Sequence, residues 1–299
     1  MQNSRPHPHK DRSAGIWFHL GAVLTVVAWG VSFVSTKVLL DNGMHSADVY
    51  VYRFILAYIL VLCACHKKIM ANSWRDEMLF LTCGVCGGSI YFIAENTAIE
   101  YTLVTNVSLI TSTSPLLTTM LVGLLYKSER PSRGFILGSF VAMFGVACVI
   151  FNSSFVVKMN PLGDLLSLLA AFSFAIYSIV IRKLNALYSV MFITRKTFFY
   201  GLITAVPFLL CQPEVASPAV LLNTEVWTNM LFLGMIASVL AFVVWAQAIK
   251  RLGAVKASNY LYFQPIVTLI ASIIFLGEKL SIVGIAGCLL IIGGLWLGD

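Results

Sequence analysis

The chain has 299 residues, of which the apolar set makes up 59% and charged residues only 11%, with a mean hydropathy of +0.88. A water-soluble fold cannot cover that much apolar surface, so a soluble globular domain is excluded. The balance of +7 comes from cations dispersed over separate loops, which argues for a topology signal and against a nucleic-acid surface.

Crossing ~30 Å of hydrocarbon takes roughly 20 apolar residues in a helix. After a polar tail, residues 1–15, apolar stretches predict helices over 16–40, 47–65, 77–99, 104–126 and 134–151, then over 162–184, 190–211, 227–249, 254–276 and 282–297. The first stretch is too long for a signal h-region and lacks an evident small-residue cleavage site, so it reads as a retained helix. The expected fold is all-α and integral to the membrane, with ten transmembrane helices, short connections and no soluble domain attached.

Lysine and arginine fall on alternate loops. Arg5, Lys10 and Arg12 are followed by Lys67, Lys68 and Arg75, then Lys127, Arg130 and Arg133, then Arg182 and Lys183, then Lys250, Arg251 and Lys256. The intervening loops hold only Lys158 and Lys279. Positive charge is retained on the cytoplasmic side during insertion, so both termini are expected there. Cys63-Ala-Cys65-His66 and Cys83-Gly-Val-Cys86 superficially suggest a metal or redox site. Within apolar helices these cysteines read better as small hydrophobes, and no metal or cofactor is expected.

The second half repeats the first. A shift of 150 superposes Ala98-Ile99 on Ala248-Ile249, Ser108 on Ser258, Pro115 on Pro265 and Thr118 on Thr268. A shift of 149 matches Glu129, Ser132, Ile136, Gly138 and Gly145 to Glu278, Ser281, Ile285, Gly287 and Gly294; weaker pairings join Lys37 to Arg182 and Arg53 to Arg195. The units are 16–151 and 162–298. Because each has an odd number of helices, equivalent residues should sit at opposite faces, which makes the repeats inverted and suits alternating access around a midplane site.

These residues resemble the EamA-type members of the drug/metabolite transporter superfamily. The carriers are Trp29-Gly30, Phe33 and Lys37, Arg53-Phe54, Asn96-Thr-Ala-Ile through Ser114-Pro115, and Ala246-Gln-Ala-Ile through Gln264-Pro265 with Phe275-Leu-Gly-Glu278. The resemblance covers nearly the whole chain. It implies a ten-helix inverted-repeat exporter with a central cavity, and amino acids or related amphipathic metabolites as substrates.

Thr105, Ser108, Ser112, Pro115 and Thr119 form one polar stripe, repeated by Ser258, Tyr262, Pro265, Thr268 and Ser272. Each proline kinks its helix and frees carbonyls near mid-membrane, those of Thr111 and Leu261. Two readings stand: the stripes line a cavity, or they are hydroxyls gluing helices together. Intramembrane charge is costly, about 2.5 to 3.5 kcal/mol at a helix centre, so Lys37, Arg53 and Glu95 are singled out. Glu95 is either a carboxyl that carries a proton as access alternates or the acid of a static pair with Arg53 or Lys37, and cations that close favour the pair. Arg195, with no acid evident in its repeat, reads as snorkelling inward.

Trp29, Tyr91, Trp245 and Tyr262 are the aromatic candidates for stacking on a substrate. Asn96, Gln247, Ser108 and Ser112 add neutral hydrogen-bonding groups, which together suit a zwitterionic or amphipathic solute. The Gly134–Gly138 and Gly294–Gly298 spacings permit close helix packing. A monomer is expected because one chain holds both halves, with a dimer as the alternative.

No convergent nucleophile and base, metal set or zinc-protease motif is evident, so no catalytic residue is assigned. The reading is a secondary transporter of the cell (plasma or inner) membrane whose partners are a small-molecule substrate and the lipid bilayer. A membrane sensor or assembly protein on the same fold is the alternative, and a membrane-embedded enzyme a weaker one.

Overall fold

A computed structural model describes residues 12–66, 69–125, 132–150, 160–212, 214–276 and 282–298. The loop cations Arg5, Lys10, Lys67, Lys68, Lys127, Arg130, Lys158 and Lys279, with Glu129, Glu278 and Ser281 of the repeat register, lie outside the described residues. Those described form helices and turns, with no strand among them. In chain order the helices are α1 (Arg12–Asp41), α2 (Ser46–Ala64), α3 (Trp74–Tyr101), α4 (Val104–Leu125), α5 (Arg133–Ile150), α6 (Pro161–Leu184), α7 (Val190–Cys211), α8 (Thr224–Leu252), α9 (Ala254–Phe275) and α10 (Ile282–Gly298).

Seven of these, α1 to α4, α6, α8 and α9, are long and apolar enough to cross a membrane. In α5 and α10 the apolar stretches are shorter, Arg133–Gly145 and Ile285–Gly294. Helix α7 is not among the seven and carries Arg195 and Lys196, both buried. Ile16, Leu24, Leu124, Ile274 and Leu289 are all more than half exposed. An apolar exterior of that extent has no aqueous solution, and the protein is a multi-pass membrane protein.

Helix starts follow capping chemistry. Ser73 accepts from the Asp76 amide at the head of α3, and Ser189 from that of Phe192 at the head of α7. Asn160 accepts from the amides of Leu162 and Gly163 with Pro161 at the first turn, where its missing N–H costs nothing. Third helices in both halves widen into a π register, Val85–Ser89 in α3 and Phe232–Leu240 in α8. Gly84 and Gly234, equivalent under the shift of 150, stand beside these segments. A Cβ on Gly84 would lie 2.4 Å from Tyr200 of α7, and one on Gly234 2.7 Å from Leu56 of α2.

The prolines break their helices as expected, but the backbone is repaired locally. Helix α4 is interrupted after Thr111 and resumes at Ser114. The Thr111 carbonyl, to which Pro115 has no N–H to donate, instead accepts from the Ser114 hydroxyl at 2.6 Å. That carbonyl is satisfied within its own helix and is not left for a cavity. Helix α9 relieves Pro265 differently, through a 3-10 turn over Tyr260–Phe263.

The two halves interleave. Helix α1 packs on α8 and α9, α3 on α6 and α7, and α2 on α7 and α8. Helices α5 and α10 pack directly on each other: a Cβ on Gly294 would sit 2.4 Å from the Ala142 amide, and one on Gly145 2.6 Å from the Gly287 carbonyl. Gly134 meets Leu297, so rising numbers in α5 meet falling numbers in α10 and the equivalent helices run antiparallel.

Candidate functional site

Where α1, α3, α6, α8 and α9 converge, a small cavity is lined by Trp29, Ser32, Tyr91, Phe92, Glu95, Phe174, Phe242 and Gln264. It draws on both halves of the chain. Tyr91 and Glu95 are one helical turn apart on α3 and so share a face. The Tyr91 hydroxyl donates to Glu95 Oε1 at 2.6 Å. Rings surround the carboxyl: Tyr91 lies 5.3 Å from Phe174 and 4.7 Å from Phe92, and Trp29 lies 5.7 Å from Phe174 and 5.9 Å from Phe242. The free space is about 10 Å³, room for roughly one water. The cavity is therefore too small for a solute in this conformation.

Arg53 stands behind this box. Its Nε donates to Ser238 Oγ at 2.6 Å and its Nη2 to the Ala237 carbonyl at 3.1 Å, with the guanidinium 4.6 Å from the Phe92 ring centre. The Trp29 indole N–H donates to the same carbonyl at 2.9 Å. That carbonyl is available because of the π register. In an α-helix it would receive the Ala241 amide, which here turns to Ile236 and Ser238. One backbone oxygen of α8 thus holds both α1 and α2 in place.

Arg53 and Glu95 are close enough to interact electrostatically but form no direct ion pair among the described residues. Lys37 does not join them: it pairs with Asp41 at 2.7 Å near the end of α1, part-exposed. The expected grouping of an acid with two bases is replaced by a carboxyl held by a tyrosine: Arg53 directs its Nε and Nη2 to α8, and Lys37 lies two turns beyond Trp29 along α1.

Of the other residues singled out from the sequence, Trp245 packs 5.1 Å from Trp29 behind the cavity wall, and its indole N–H has no partner among the described residues. Ser108 donates to Thr268 Oγ1 at 2.9 Å, and Thr268 donates to the Gly30 carbonyl at 3.0 Å. Ser112 bonds back to the Ser108 carbonyl. These hydroxyls join α4, α9 and α1, the helix-gluing alternative. Asn96 donates to the Ser46 carbonyl at 3.0 Å, fastening α3 to the start of α2. Tyr262 is buried against Leu109 and Ile291, and Gln247 is half-buried on α8; neither lines the cavity.

Phe92, Phe174 and Phe242 escaped the sequence reading because a phenylalanine in an apolar helix looks like core. Gln264 carried a usable signal, a polar side chain directly before the kinking proline. Sequence reading also passed over a second buried network, at the other end of α3. Glu77 is 3% exposed and accepts from Lys196 Nζ at 2.9 Å and from the Tyr200 hydroxyl at 2.5 Å. The Ala71 amide adds a third bond at 2.7 Å. Beside it, Tyr188 donates to Asp76 at 2.6 Å, and burial together with that bond pushes its hydroxyl above the ordinary tyrosine range. Arg195 does not snorkel: it is 4% exposed, and its guanidinium donates to the Cys65 carbonyl at 2.6 Å.

Known proteins place the architecture. A solved crystal structure superposes with a TM-score of 0.70 over 96% of both chains at 19% identity, which shows a shared fold. An "uncharacterized transporter" of Archaeoglobus fulgidus is 28% identical, covering 93% of this chain and 96% of that protein. A "probable terminal-alkyne amino-acid exporter" of Streptantibioticus cattleyicolor is 26% identical over 93% of each chain, and a "probable amino-acid metabolite efflux pump" of Salmonella typhimurium 25% over 92% of each. The model of the EamA-like transporter family matches twice, over residues 16–151 and 161–297. Two matched units covering nearly the whole chain, on a helical membrane fold with a small cavity lined by both, mean that the chain belongs to the EamA-like transporter family.

Proposed function

We propose that this protein exports small amphipathic metabolites, amino acids or related compounds among them, by alternating access between two inverted five-helix repeats. In this reading the chain crosses the plasma or inner membrane ten times, with both termini in the cytoplasm. The observation that carries it is the Tyr91–Glu95 pair in an aromatic box built by both halves. A ring-lined space with one carboxyl, once widened by a change of conformation, suits a solute that presents an amine or cation and an apolar body. Antiparallel packing of α5 on α10 supports the inversion. The relatives' printed names support the substrate class.

Arg53 donates to Ser238 and Ala237, and among the described residues no cation is bound directly to Glu95, which favours the proton-carrying role over a static ion pair. A carboxyl that releases its proton to bind a cationic solute, and regains it when the solute leaves, exchanges the two across the membrane. The test is counterflow in proteoliposomes loaded with amino acids, nucleosides or organic cations. Saturable exchange of at least one amino-acid-like solute is expected, and its absence for every class would overturn transport. Cysteine labelling at both ends of the chain tests the orientation independently.

A further inference from the structure

A second concavity, far from Glu95, remains unexplained by transport. It is a groove of about 340 Å³ between the start of α1, the 3-10 turn of α9 and the end of α10. The turn packs against both α1 and α10 and holds them apart there. Its floor is polar. His19 Nδ1 and the Tyr260 hydroxyl lie 2.5 Å apart, fixing the turn to α1. The Asn259 side-chain carbonyl is buried with no partner among the described residues. Lys256 at the rim is exposed and makes no ion pair or hydrogen bond among them. The groove's outer wall is apolar and open sideways, with Trp296 81% and Ile292 45% exposed.

We propose that this groove binds one anionic glycerophospholipid with a hydroxyl-bearing headgroup, of the phosphatidylglycerol type. The chemistry is complementary at each level. Among the described residues that line the groove none is acidic and one, Lys256, is a cation, so a phosphate there meets a free ammonium. The polar side chains of Asn259 and Tyr260 in the lining offer hydrogen-bonding partners to a headgroup hydroxyl. The acyl chains leave past Ile292 and Trp296, an indole at the depth where tryptophan prefers to sit. Only the leaflet, cytoplasmic, rests on the orientation proposed above; the binding does not depend on transport.

The experiment is native mass spectrometry of the intact, detergent-purified chain with equal amounts of phosphatidylglycerol and phosphatidylcholine. The wild type should retain phosphatidylglycerol preferentially. Lys256→Ala should lower that retention about fivefold, the effect of one lysine at a lipid surface, and leave phosphatidylcholine unchanged. Lys183→Ala, removing an exposed cation on α6, should change neither. Equal retention of the two lipids, equal losses in the two variants, or displacement by glycerol phosphate without acyl chains would each overturn the assignment.

Discussion

Two seams, α2 on α8 and α3 on α7, are counterparts across the repeat, yet their charges are answered differently. At the first, Arg53 meets a hydroxyl and a carbonyl of α8. At the second, Lys196 meets the carboxylate of Glu77, itself held by Tyr200. Glycine lets both pairs approach closely, Gly234 at one and Gly84 with Gly201 at the other. The comparison teaches that duplicated backbones need not divide the work equally. Separating α3 from α7 exposes a buried ion pair, whereas separating α2 from α8 breaks only hydrogen bonds from one cation.

Single-sided removal should break this comparison most visibly. Glu77→Ala leaves Lys196 buried without its carboxylate and should destabilise the protein by about 3–5 kcal/mol, read by thermal unfolding in detergent. The double variant Glu77→Leu with Lys196→Met should recover most of that loss. Arg53→Ala removes the cation itself, leaving neutral groups of α8 behind, and should cost less, about 2 kcal/mol. Equal losses at the two seams would contradict the asymmetry.

Smaller effects sharpen the same picture. Gly294→Ala drives a methyl into the Ala142 backbone and should cost about 1–3 kcal/mol by forcing α10 off α5. Ser108→Ala removes one interhelical hydroxyl bond, worth about 0.6 kcal/mol in membrane helices, and should leave transport intact. A transport defect in Ser108→Ala without loss of stability would return that hydroxyl to the substrate path.

The helices were legible in the sequence because a membrane demands long apolar runs, and the structure starts and stops them within a few residues of those expected. The twofold repeat was legible too, from pairings such as Ser108 with Ser258 and Pro115 with Pro265, and the family model matches both units. The π segments of α3 and α8 were not, since a π register differs from an α register only in which carbonyl each amide reaches. Their glycines were visible but have many uses. Three of the eight residues lining the candidate site were readable: Trp29, Tyr91 and Glu95 announce themselves by cost or chemistry. Its phenylalanines do not, and neither does Glu77, which stands at the start of the third expected helix, where an acid is ordinary. Asn96 and Ser108 were read as candidates because hydroxyls and amides serve helix packing and solute binding with the same atoms.

The central claim, that the Glu95 carboxyl couples solute movement to protons, is tested most directly with wild-type and Glu95→Gln proteins in proteoliposomes under an imposed pH gradient. Counterflow without a gradient should persist in Glu95→Gln, while gradient-driven accumulation of the same solute should vanish. Full retention of the gradient response in Glu95→Gln would contradict the account.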